Sequence, residues 1–227
     1  MVEFGEDLSI TYVMGGLARQ FEQPDAQIVP WLDAAEKSRM PVDPRLWAEV
    51  PLSSSYPACM AVKAASEQGP DAAGRYLRAL REGLFCFRRK LDTTEALVEA
   101  AREAGLDAAR FRVDLESNAI VEAFGADLEE TRAHDTPIPF LEVSSQLIPA
   151  TAPYAEWRAV AAGATPSTAP LPSPLDAVLR FGRTASIEVE TVCELAGPVA
   201  RAELWRLATE WRVRPLRVLT GVLWEPA

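Results

Sequence analysis

The sequence predicts an α/β protein in which a small sheet is split by a long helical insertion and followed by a short second module of helices and a hairpin. Three observations carry that prediction. Leu8 to Met14 is a β-prone run ended by Gly15-Gly16. Helical patterns then succeed one another up to Arg132, and strand character returns at Pro139 to Val143 with a proline at its head.

The first run, Leu-Ser-Ile-Thr-Tyr-Val-Met, is rich in β-branched and aromatic residues, and two glycines then permit a turn. From Pro24 to Met40, Ile28, Trp31, Leu32 and Ala35 fall at helical spacing, and Pro41 and Pro44 stop the helix. Pro51 to Ser55 reads as a loop whose serine hydroxyls cap the next helix, with Pro57 suited to its first turn. Ala58 to Ser66 is alanine-rich, and Ala72 to Phe87 carries Tyr76, Leu77, Leu80, Leu84 and Phe87 on one stripe. Thr93 or Thr94 caps a third pattern that turns Leu97, Val98 and Ala101 inward and ends at Gly105. Asp107 caps a fourth running to Leu115, and a fifth covers Ala119 to Arg132 through Ile120, Val121, Phe124 and Leu128. Pro139 to Val143 is the second strand, Leu147-Ile148 a third after a Ser144-Ser145 turn, and Tyr154 to Ala162 a helix with Trp157 and Val160 inward.

The Pro/Ser-dense stretch 163–174 reads as an extended linker. The expected division is therefore a first domain, 1–162, with its insertion at about 24–132, and a module at 175–227. In that module Leu175 to Phe181, Ser186 to Leu195 and Arg201 to Arg212 are helical, and the alternating run from Leu216 to Trp224 is a hairpin, the elements of a winged-helix-like fold. Residues 173–227 hold seven arginines and seven carboxylates, so the module is neutral and reads as a protein-docking or structural appendage rather than a DNA reader.

Composition sets the wider limits. At 227 residues the chain can bury roughly 70% of its unfolded surface. Its 23 basic and 33 acidic side chains give a net charge of −10, which repels nucleic acid. No apolar run is long enough for a membrane span, and the start has neither the basic nor the apolar part of a signal peptide, so the expected location is the cytoplasm. Cys59, Cys86 and Cys193 lie far apart in apolar helical contexts and are expected to be free, buried thiols. The lone His134, in the polar run Thr131-Arg-Ala-His-Asp-Thr, reads as a solvated loop residue. No metal-ligand spacing, phosphate loop or nucleophile elbow occurs, so neither cofactor nor metal is expected.

The run Ser53-Ser-Ser-Tyr-Pro-Ala-Cys-Met-Ala-Val-Lys-Ala-Ala, then Gly74-Arg-Tyr-Leu-Arg-Ala-Leu-Arg-Glu-Gly-Leu-Phe, then Leu91-Asp-Thr-Thr-Glu, and finally Ile138-Pro139-Phe140, resembles DsbA-family thioredoxin-like proteins over Leu8 to Ala162. The resemblance implies a thioredoxin-like sheet, a cis Ile138–Pro139 bond beside the Tyr12 to Gly16 turn, and a substrate face built from Pro139, Ile138, Gly15, Gly16, Ser54 and Ser55. It also implies dithiol-disulfide oxidoreductase or isomerase chemistry on a protein or small-thiol substrate. The Cys-x-x-Cys that this chemistry requires is not in the chain, where no cysteine has another within three residues. The run at Leu8 lies close to Met1, as an internal start would leave it, so the natural product is expected to extend upstream to that motif. As given, the chain is expected to have no catalytic residue. Cys59, which follows Pro57 in a helical first turn, is the best thiolate candidate, although its face is apolar. Two further readings stand beside this one. Some relatives of the family are similar to protease adaptors, which need the binding groove and not the cysteines. In the glutathione-dependent members the loop 53–55 would approach the tripeptide.

Overall fold

The computed structural model describes residue 4 and residues 9–143, 145–161 and 169–227. A 3-10 turn at Pro24–Gln27 leads into α1 (Ile28–Ser38), followed by α2 (Leu46–Glu49), α3 (Tyr56–Ser66), α4 (Pro70–Phe85), α5 (Thr94–Glu103), α6 (Ala108–Leu115) and α7 (Asn118–Arg132). The hairpin β1 (Phe140–Val143) and β2 (Gln146–Pro149) and helix α8 (Tyr154–Val160) come next. Then follow α9 (Pro174–Phe181), β3 (Thr184–Ala185), α10 (Ser186–Val192), α11 (Gly197–Thr209), β4 (Val213–Val218) and β5 (Gly221–Pro226). The chain packs as two units, one of residues 1–21, 53–80 and 91–167, the other of residues 22–52, 81–90 and 168–227.

In the first unit the helices form where the apolar stripes and caps place them. Thr93, Asp107 and Ser117 each accept a backbone N–H of the turn they open. At the end of α5, Gly105 sits one residue beyond the cap with φ of 76°; its N–H bonds the Arg102 carbonyl and the Leu106 N–H bonds that of Ala101. The core gathers Tyr76, Phe111, Leu97 and Ile120, and the Tyr76 hydroxyl donates to the Leu97 carbonyl at 3.0 Å. Strand β1 pairs only β2 among the described residues, in the register Phe140↔Pro149 to Val143↔Gln146.

Three local expectations are corrected here. The described part of the Leu8 to Met14 run, residues 9–14, joins no strand ladder, and the Met14 N–H goes to the Asp127 side chain of α7 instead of to a strand. Val121 is exposed, since the inward stripe of α7 runs through Ile120, Phe124 and Asp127. The fourth helix stops at Phe85, leaving Phe87 beyond it, where the backbone turns at Arg88 with φ of 53°. Residue Leu8, Ser144 of the predicted turn, Ala162 and residues 163–168 of the predicted linker lie outside the described residues. Pro174, the last residue of that linker, is the first residue of α9, where its missing N–H is harmless and Ser173 and Asp176 form a reciprocal capping box.

In the second unit β3, β5 and β4 form a sheet in that spatial order, both pairs antiparallel. Pro215 lies in β4 at the edge, where no ladder donor is required. One face of the sheet carries Val213 and Trp224 against Ala177, Val178, Val189, Leu204 and Leu207 of the helices. The other carries Val218 and Leu223 against Cys86, with Met40, Phe87 and Leu216 packed around them. This second face explains why residues 39–43 and 82–88 pack with the chain's last sixty residues. The Val42 N–H reaches the Thr220 hydroxyl at 2.7 Å, and Arg183 ties Glu82 to Glu225. Leu204→Ala, at a position with no exposed surface, should lower the unfolding free energy by about 3 kcal/mol in urea titrations at unchanged slope.

Candidate functional site

Four of the six site residues expected from sequence meet in one place. The Ile138–Pro139 peptide bond is cis. Ile138 packs on Gly15, where a Cβ would stand 3.1 Å from its Cδ1 and 3.1 Å from Thr131 Cγ2. Gly16 adopts φ of 61°, and a Cβ there would fall 2.6 Å from Leu128 Cδ2 and 3.0 Å from Tyr56 Cε1. A Cβ at Gly15 would press on two side-chain methyls, and Gly16 is favoured by its left-handed backbone as well as by close approach. Ser54 and Ser55 stand two residues along, at Ala18. The Ala18 N–H donates to Ser55 Oγ at 2.9 Å, and the Ser55 hydroxyl and N–H both donate to the Ala18 carbonyl at 3.0 Å. The Ser54 hydroxyl accepts the Tyr56 N–H at 3.1 Å. The serines therefore hold the protein's own backbone, and the helix cap expected of them is supplied by Ser54 alone.

What holds this segment is a set of contacts to α3 and α7. Ser55, Cys59 and Lys63 succeed one another every four residues along α3, a rise of about 6 Å per step. Met14, Gly16 and Ala18 run antiparallel to that stripe; Ala18 meets Ser55, Gly16 lies against Cys59, and Met14 is linked to Lys63 through Asp127 of α7. Ala18 bonds Ser55, the Gly16 N–H faces the Cys59 sulfur, and the Met14 N–H donates to Asp127 Oδ2 at 2.8 Å while Lys63 Nζ donates to Asp127 Oδ1 at 2.8 Å. The segment continues to Phe21, whose N–H bonds the Ser53 carbonyl at 3.0 Å.

Asp127 and Lys63 are the site residues that sequence reasoning missed. Asp127 has a side chain only 8% exposed, paired with a Lys63 that is 18% exposed. A signal was present: Asp127 lies seven residues after Ile120 and three after Phe124, so a carboxylate occupies the inward stripe of α7. A carboxylate in that position requires a cation and a donor, and here it has both.

Cys59 is buried, and desolvation pushes its thiol from an ordinary 9.0 up to about 11; the Gly16 N–H opposes the rise and the Asp127 charge adds to it. Helix position alone would favour a thiolate, but burial outweighs it. Cys86 and Cys193 are also buried free thiols. His134, expected to be solvated, is half-buried, with its ring edge-on to Phe140 at 5.3 Å and Nε2 3.6 Å from Glu142. Ile138, Leu17 and Val13 are exposed around this core, so the face offered outward is apolar. Among the described residues no group of His, Cys, Asp and Glu is arranged to hold a metal ion, and no helix is long and apolar enough to cross a membrane.

A hairpin headed by a cis proline and following a helical insertion is the order expected from the thioredoxin-like resemblance. The family model described as Thioredoxin matches residues 1–138, and the chain belongs to that family. Among curated proteins it is similar to the ClpXP adapter protein SpxH of Halalkalibacterium halodurans, 29% identical over 247 residues that span 99% of this chain and 80% of that protein. It is similar to the proteins of the same name in Bacillus subtilis, 29% identical over 86% of this chain and 70% of that one, and in Shouchella clausii, 29% identical over 86% and 68%.

Two outcomes test this geometry. Asp127→Ala strands Lys63 and the Met14 N–H, and should lower stability by about 3 kcal/mol, whereas the double variant Lys63→Met, Asp127→Leu should regain much of that loss in the same denaturation series. Folded Cys59 keeps its proton to higher pH than the unfolded thiol, so its contribution to stability is complete below pH 9 and is lost as pH rises through about 11. The thermal midpoint should fall across that window more steeply in the parent than in Cys59→Ser, and iodoacetamide should label Cys59 in the folded protein only at its upper end.

Proposed function

We propose that this protein is a non-catalytic adaptor that serves ClpXP, binding a protein partner through the apolar face around Gly15, Gly16, Ile138 and Pro139. The observation that carries the reading is the likeness, over 99% of this chain, to a protein named as a ClpXP adapter. The chemistry of the site supports it. Thiol-disulfide exchange needs an exposed thiolate of low pKa with a resolving partner, and Cys59 is buried, raised to about 11 and without a second cysteine nearby. A glutathione site at 53–55 has less support, because the Ser54 and Ser55 hydroxyls are engaged with the protein backbone. Binding requires none of these groups to be reactive, only a rigid, correctly shaped face.

The module expected at 175–227, whose first helix already includes Pro174, is read as winged-helix-like. The support is the succession of α9, β3, α10, α11, β4 and β5. Its role is read as protein docking. Arg201 and Arg206 of α11 are bound by Glu190, Glu203 and Glu210, which leaves little free positive charge on that helix for a phosphate backbone.

The test compares proteomes. Deleting this gene and deleting the ClpX subunit should raise the abundance of a shared set of proteins, and at least one of them, purified, should be degraded faster by ClpXP when this protein is added. Ile138→Glu should abolish the acceleration and Cys59→Ser should preserve it. Insulin reduction by the purified chain, lost in Cys59→Ser, would instead establish a one-cysteine oxidoreductase.

A further inference from the structure

We propose that the outward stripe of residues 25–36 is a second docking surface, whose occupant is a basic amphipathic helix of a protein partner. The 3-10 turn at Pro24–Gln27 and α1 form one continuous helical rod. Asp25, Val29, Leu32 and Glu36 recur along it at steps of four, three and four residues, with Asp33 beside Val29, so they share one face. The opposite face anchors the rod. Ala35 is buried, and the Trp31 ring lies 4.4 Å from Phe85 and 5.3 Å edge-on from Trp47. Val29 and Leu32 remain 64% and 40% exposed, two aliphatic side chains one helical turn apart.

The charges around them decide the occupant. Asp25, Asp33 and Glu36 are exposed and make no ion pair among the described residues, and Glu22 at the head of the rod is in the same position. The buried carboxylates of this unit, by contrast, are held by arginine, Asp43 by Arg45 and Arg88 and Glu190 by Arg39 and Arg201, and the half-buried Glu225 is held by Arg183 and Arg214. An aliphatic ridge bordered by unneutralised carboxylates is complementary to aliphatic side chains bordered by Lys and Arg. A second copy would set the same carboxylates against each other, and nucleic acid or an anionic membrane would be repelled. The pair of aliphatic residues at one-turn spacing fits the ridge of a helix rather than the alternating face of a strand. The inference deepens the adaptor reading by supplying a second partner surface, and that reading is its functional context.

The test uses the full chain, labelled with nitrogen-15, and two designed peptides with identical leucine spacing, one a Lys/Leu amphipathic helix and the other its Glu/Leu counterpart. The Lys/Leu peptide should shift the amides of residues 25–36 and bind about tenfold more weakly when salt is raised from about 0.05 to 0.5 M. Reversing charge in Asp25→Lys, Asp33→Lys, Glu36→Lys should weaken binding by about tenfold or more, and Leu32→Ser should weaken it without altering the charge. Shifts confined to other residues, equal binding by the reversed variant, or equal binding of the Glu/Leu peptide would overturn the proposal. So would a dimer in sedimentation that Leu32→Ser dissolves, which would assign the stripe to a second copy. No ClpXP is present in these measurements, so failure here leaves the degradation assay to stand or fall alone.

Discussion

A carboxylate on the apolar stripe of α7 governs how residues 14–18 are held. Asp127 can remain charged at that depth only with compensating partners, because an unpaired buried charge costs several kcal/mol. It has Lys63 on one oxygen and the Met14 N–H on the other. The three groups come from α3, α7 and the extended segment, so satisfying one charge fixes three elements. Gly16 and Ala18 are then in register with Cys59 and Ser55, and the two glycines allow the backbone to approach as closely as that register demands.

The same arrangement limits the chemistry of the site. Closing the segment over α3 buries the Cys59 sulfur under the Gly16 N–H, and burial drives its pKa up. The hydroxyls of Ser54 and Ser55, which could have met a ligand, are occupied by Ala18 and Tyr56. What remains toward solvent is shape and apolar surface, from Val13, Leu17 and Ile138. The adaptor reading proposed above requires no more than such a face.

The second unit treats charge differently. Its buried carboxylates, Asp43 and Glu190, each gather two arginines, and Gly197 leaves room for the Glu190 oxygens, which a Cβ would approach to 3.0 Å. These pairs tie residues 39–45 and 88 to the helices and sheet of the C-terminal segment or to one another. The carboxylates at residues 25–36 are exposed and, among the described residues, unpaired instead, because water solvates them and no buried partner is required.

Local chemistry in the sequence determined most of the helices. Their hydrogen bonds join residues four apart, and the caps at Thr93, Asp107 and Ser117 and the αL glycine at 105 act within a single turn. The proline heading β1 and the paired glycines at 15–16 were legible for the same reason. Tertiary structure decided what depends on residues distant in sequence. The run at residues 9–14 is β-prone, yet a strand exists only where a ladder partner lies alongside, and helices supply its contacts instead. The Asp127–Lys63 pair spans 64 residues, and the packing of residues 22–52 and 81–90 with the C-terminal segment spans more than a hundred. No local pattern encodes such meetings, because they follow from which buried surfaces and charges can be satisfied together once the helices have formed.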